Sequence, residues 1–122
     1  MLSLDIENVV AIHESQLREL LDQPVGESSL FHRLRRIFIS EGPDLVGELR
    51  QLMPEGNRSE IHDVFHKIKG SSAAMGAKRI HALAAYAVQV CREDDKLGLL
   101  SELPDLIEAE YSRYDSEARR LL

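Results

Sequence analysis

Apolar residues recur at three- and four-residue intervals along almost the whole of this 122-residue chain. That interval puts them on one side of successive helices, whereas a half-buried strand needs an apolar residue at every second position. The sequence contains no run with the alternating pattern of a strand. Because the helices are long and the segments between them short, the pattern predicts an all-α fold: an up-and-down four-helix bundle with an additional N-terminal helix.

Glycine and proline mark where the helices stop. The predicted helices run from Asp5 to Asp22, over residues 29–53, from Arg58 to Ala74, from about Ile80 to Cys91 and from about Ser101 to Leu121. Gly42 and Pro43 lie inside the second, where a proline removes a hydrogen bond, so this segment is one kinked helix or two short ones; we favour the kink. We expect one domain over residues 1–122, with 1–26 as the N-terminal helix and loop and 29–122 as the bundle.

Composition argues against several classes of protein. The chain has 21 acidic and 15 basic side chains and a formal net charge of -6, whereas nucleic-acid binding begins with lysine and arginine neutralising phosphates. It has no run of about 18 apolar residues and no basic start, so we expect neither a membrane-spanning helix nor a secretion signal. Its single cysteine, Cys91, allows no internal disulfide, as is typical of a reducing compartment, so we expect a cytoplasmic protein. We also expect it to be a monomer.

The segment from Ile61 to Ala77 carries the most informative pattern. At roughly 100° per residue, one face of a helix here is apolar and enters the core. That face comprises Ile61, Val64, Phe65, Ile68, Ser72 and Met75. The opposite side, which we call the His66 face, comprises His62, His66, Lys69, Gly70 and Ala73. We therefore expect the imidazole of His66 to face solvent or a partner.

Three features make this face a candidate site. Gly70 and Ala73 have almost no side chain, so they leave the ring of His66 accessible to a partner. A glycine inside a helix costs roughly 1 kcal/mol of helix stability relative to alanine. A residue that disfavours the helix beside an exposed histidine is typical of a functional site. Lys69, three residues from His66, is close enough for its ammonium to neutralise an anion carried on the ring.

The run HKIKGSSAAMGA, residues 66–77, resembles the phosphorylation motif of histidine-containing phosphotransfer (HPt) domains, broadly H-x-[LI]-K-G-S-[SA]-x-x-[hydrophobic]-G-A. HPt domains are helical bundles of about this length, and the resemblance covers the chain from about Leu30 onwards. It implies that His66 accepts the phosphoryl group, that Lys69 assists it and that Gly70 keeps room for the partner.

The resemblance also implies the partners. These would be receiver domains of response regulators, a hybrid sensor histidine kinase, or both, and the receiver would supply the Mg²⁺. The chain has no phosphate-binding loop and no acidic cluster set for Mg²⁺, so we expect no bound cofactor and no kinase activity of its own. In the family the following helix often presents Gln or Glu near the histidine, where this chain has Val88 with Gln89 beside it. We expect His62, Ala73 and Gln89 to contact the partner.

Two other functions are considered. A helical adaptor could dock receivers or kinases without carrying phosphate, but it would not need His66 and Lys69 together. A zinc hydrolase is suggested by the spacing of His62 and His66, although Asp63 stands where zinc proteases have glutamate and no third ligand follows. The remaining histidines are scattered and predict no site; they are His13, His32 and His81.

Overall fold

The computed structural model describes residues 9–25, 28–93 and 97–121 of the chain. The helices are α1, Glu14–Leu21; α2, Leu30–Leu52; α3, Arg58–Ala74; α4, Lys78–Glu93; and α5, Leu103–Leu121. Two-residue strands, β1 (Pro24–Val25) and β2 (Ser28–Ser29), form an antiparallel pair between α1 and α2. Short 3₁₀ helices, Met53–Glu55 and Leu97–Leu100, follow α2 and precede α5. In the described part of the chain, no helix is both long and apolar enough to cross a membrane.

Helices α2 to α5 form the predicted four-helix bundle. Each packs against the next along the chain, α5 closes the ring by packing against α2, and α1 lies against α2 from outside the ring. The core is filled by large apolar side chains from all four helices, with α1 adding Leu17. Fully buried examples are Phe31, Leu49, Phe65, Ile68, Leu83, Ile107 and Tyr114. The fold class predicted from periodicity is confirmed.

Helix α2 is continuous through Pro43, so the alternative of two short helices is wrong. The residue before this proline packs directly on α5. A Cβ built on Gly42 would lie 2.6 Å from Cζ and 2.7 Å from Cδ1 of Tyr111. The Tyr111 ring is itself buried and packs against Phe38, with ring centroids 5.0 Å apart. Glycine is therefore required here by the close approach of α2 and α5.

The Gly42→Ala variant is expected to lose stability, because the added methyl must displace a ring that is buried in the core. Overpacking of this kind costs about 1 to 3 kcal/mol of unfolding free energy. The matched control is Gly47→Ala in the same helix, where an added Cβ meets nothing within 4 Å. That variant should gain about 0.5 to 1 kcal/mol from helix propensity. Urea unfolding of both would show opposite signs, and equal effects would contradict the packing argument.

The N-terminal helix is shorter than predicted. Periodicity predicts a helix from Asp5 to Asp22, but α1 begins at Glu14, and the described residues before it are not helical. Residues 5–8 lie outside the described part. Residues 9–13 instead pair with the connection between α3 and α4. Ile12 forms an isolated antiparallel bridge with Ala77, and the His13 amide donates to the Gly76 carbonyl at 2.8 Å. These long-range bonds satisfy backbone groups that a helix would have satisfied locally.

Candidate functional site

Helix α3 has the bounds predicted from the sequence. Asn57 caps its first turn by accepting a hydrogen bond from the backbone amide of Glu60 at 3.1 Å, which satisfies one of the free amides of a helix start. The predicted core face is buried throughout: Ile61, Val64, Phe65, Ile68, Ser72 and Met75. Since that face is fixed in the core, the opposite face of the helix is turned outwards.

His66 is exposed on this outward side, one turn after His62 and one turn before Gly70. The rings of His62 and His66 are stacked, with centroids 5.9 Å apart and planes 10° from parallel. On the other side, a Cβ built on Gly70 would meet nothing within 4 Å. The imidazole of His66 is therefore covered on one side by a second ring and open on the other.

Two lysines flank this histidine and lie in different surroundings. Lys69 is partly buried, and within the described ranges no carboxylate forms an ion pair with its ammonium. Lys67 is exposed and borders a small cleft of about 330 Å³ that Glu41 and Asp44 of α2 also line. Lys69 thus carries a positive charge without a carboxylate partner among the described residues, whereas Lys67 borders a cleft that two acidic side chains also line.

The backbone around Lys69 is held by α4. The Nδ1 atom of His81 lies 3.1 Å from the carbonyl oxygen of Lys69. Because a carbonyl oxygen can only accept, Nδ1 is the donor in this hydrogen bond. The buried Ser72 hydroxyl donates to the Ile68 carbonyl at 2.6 Å, as its position on the core face predicted. The His81 contact ties to α4 a stretch of α3 in which Gly70 and the serines are poor helix formers. His81, which the sequence assigns to no site, thus contacts the backbone of the helix that carries His66.

Side chains from α1 and α5 cap the last turn of α3. The Gln16 amide donates to the carbonyls of Ala73 and Ala74 at 2.8 and 2.9 Å, and the Tyr114 hydroxyl donates to that of Met75 at 2.7 Å. Beside this end lies the N-terminal cleft, of about 460 Å³. It is lined by Val9, His13, Gln16, Ser72, Ala73, Gly76, Ala77, Lys78, His81 and Ala82. The cleft joins the His66 face at Ala73, which is exposed.

The second polar partner expected on α4 is not found in the described residues. Val88, at the position where the family often has Gln or Glu, is buried. Gln89 is exposed, and its amide donates to the carboxylate of Glu93 one turn further on. The ring of His66 contacts His62, and no hydrogen bond joins it to Gln89 in the described ranges. Five of the six predicted site residues thus lie on α3, whereas Gln89 lies on α4.

A protein-family model described as "Hpt domain" matches residues 33–117. The chain belongs to the Hpt domain family. The match begins within α2 and ends within α5, so it covers the four-helix bundle and the whole of α3. Hpt domains have a histidine phosphotransfer role in phosphorelays, and the motif around His66 lies inside the matched region. No curated protein and no solved structure matches the chain.

Two residues outside the His66 face need separate mention. Cys91 is buried in the Hpt bundle, where desolvation raises the pKa of its thiol and disfavours the reactive thiolate, as expected for a packing residue. As for the zinc alternative, the described residues contain no group of three or more His, Cys, Asp or Glu side chains that could hold a metal ion.

Proposed function

We propose that this Hpt protein accepts a phosphoryl group on His66 from the phosphoaspartate of a receiver domain or from a sensor kinase. It then passes the group to the aspartate of another receiver. The observation that carries the proposal is the exposed imidazole of His66, which is open over Gly70 and lies within the family motif.

The reaction needs little covalent chemistry from the protein. The lone pair of the unprotonated ring nitrogen of His66 attacks phosphorus, the bond between phosphorus and the aspartyl oxygen breaks, and the carboxylate leaves with its electron pair. The phosphoimidazole keeps the proton on its other nitrogen or releases it to water. Because the transition state is loose and rich in negative charge, positioning and positive charge supply most of the catalysis. The acidic pocket and Mg²⁺ belong to the receiver.

The surroundings of His66 suit this reaction. The open side over Gly70 gives a receiver access to the ring, and Lys69 carries a positive charge on the same face. A phosphoryl group on the ring brings a charge of about −2, so the ammonium would attract it and the charge that develops during transfer. Ala73 borders this surface, and the N-terminal cleft extends it towards α1.

The direct test is transfer of label from a panel of radiolabelled phospho-receivers to the purified protein. We expect at least one receiver to label it, with a bond that is labile in acid and stable in alkali, as in a phosphoramidate. ATP and Mg²⁺ alone should give no label. Binding to receivers without any transfer would contradict the proposal and support the adaptor function.

The position of the Lys69 charge should matter to phosphotransfer, so that a lysine elsewhere on the surface cannot replace it. Lys69→Ala is expected to slow transfer by roughly 10- to 100-fold, because it removes a cation beside the developing charge. Lys67→Ala is the matched control, since that side chain lies on another part of the surface near Glu41 and Asp44. Single-turnover transfer from one receiver would measure the rates of both variants. Equal rates would show that the overall positive charge, and not the position of Lys69, assists transfer.

A further inference from the structure

His62 covers one side of the candidate phosphoacceptor. Its ring is nearly parallel to that of His66, at a centroid distance of 5.9 Å, within the range of aromatic ring contacts. Side chains on a helix lean towards its N-terminus, so the ring of His66 leans over the turn that carries His62. The space on the opposite side, over Gly70, is open. In the described residues, His62 is thus the ring against which His66 rests.

The ring of His62 is held mainly by packing. Its side chain is only 25% exposed, and its Nε2 atom is buried without a hydrogen-bond partner in the described ranges. Its Nδ1 atom lies 3.4 Å from the carboxylate of Asp63, which is a long contact with an exposed side chain. The position therefore favours a flat ring and makes little use of the ring nitrogens.

From this arrangement we infer that His62 is a positioning residue for phosphotransfer: its ring fixes the orientation of the His66 imidazole by stacking. The inference rests on the proposed function of His66. In-line attack on phosphorus tolerates little misplacement of the nucleophile, and an exposed histidine with an open neighbour at Gly70 would otherwise sample several rotamers. The stack restricts that freedom and leaves the Gly70 side free for the receiver.

Two substitutions separate stacking from the other roles a histidine could have here. His62→Ala removes the ring, and the maximal single-turnover rate of transfer to His66 should fall about 10-fold with the half-saturating receiver concentration unchanged. His62→Phe keeps a flat ring and removes the unpaired buried nitrogen, so it should restore the rate and keep or raise the Tm. Asp63→Asn is the control for the long contact and should transfer at the unaltered rate.

The conformation of His66 can be measured without phosphate. Three-bond NMR couplings should report one χ1 rotamer of His66 in the unaltered chain and in His62→Phe, and averaged rotamers in His62→Ala. This readout stands even if no receiver labels the chain, so failure of the proposed function and failure of the positioning role are distinguishable. A histidine that matters only for folding would change the Tm and leave the rotamer of the folded protein fixed.

Three results would overturn the inference. A rate in His62→Phe as low as in His62→Ala would assign the effect to the ring nitrogens. An effect of His62→Ala confined to the half-saturating receiver concentration would make His62 a partner contact. Fixed His66 rotamers in all variants would show that the stack does not position the ring.

Discussion

Replacing His66 by glutamine is expected to abolish phosphoryl uptake from every receiver that labels the unaltered chain. Glutamine is polar and has a better helix propensity than histidine, and the position is exposed, so α3 should fold as before. What the variant lacks is the ring nitrogen to which phosphorus bonds. We therefore expect label to fall to the background of the assay, while circular dichroism and the Tm stay close to those of the unaltered chain.

The control is His32→Gln, which removes another exposed histidine, on α2, and should leave uptake unchanged. Acid and alkali treatment of the labelled chain would identify the bond in parallel. Label retained by the His66→Gln variant would place the acceptor at another residue and overturn the assignment.

Helix α3 shows what the sequence could predict. Its start at Arg58 follows an asparagine cap, its end at Ala74 precedes Gly76, and its apolar spacing separates a buried face from an exposed one. All three signals are local, because they depend on residues within one or two turns of each other. The orientation of His66 follows from the same spacing, and so does the hydrogen bond of Ser72 to the preceding turn.

The N-terminal segment shows where local signals fail. Apolar residues at helical spacing precede α1, yet the described residues 9–13 are not helical and bond to the connection between α3 and α4. The Arg79 side chain adds a 2.7 Å hydrogen bond to the Val9 carbonyl. These partners are more than 60 residues away along the chain, so the apolar spacing of residues 9–13 does not predict them. Tertiary contacts decide the conformation of this segment.

The environment of the site was also only partly predictable. His81 reaches the Lys69 carbonyl because α3 and α4 pack side by side, and a lone histidine on α4 gives no local sign of that contact. The resemblance puts Val88 at the position near the histidine, with Gln89 beside it. A one-residue step on a helix turns a side chain by about 100°, which is why Val88 is buried while Gln89 is exposed and bonds to Glu93.

The glycine at position 70 should prove necessary for access and dispensable for stability. Gly70→Gln places a long side chain one turn from His66, on the side that His62 leaves open. Because nothing lies within 4 Å of the new Cβ, the fold should accept it and gain about 0.5 kcal/mol from helix propensity. Transfer from a phospho-receiver is nevertheless expected to fall about 100-fold, since the side chain keeps the phosphorus from the attacking nitrogen.

The matched control for this variant is Gly47→Gln, which makes the same replacement at a helical glycine of α2 that is also without neighbours within 4 Å of an added Cβ. Both variants should raise the Tm by similar amounts, and only the one at position 70 should slow transfer. Gly70→Ala, with a single methyl, should lie between the two in rate. Full activity of Gly70→Gln would mean that the receiver does not approach His66 over Gly70, and the proposed direction of docking would then be wrong.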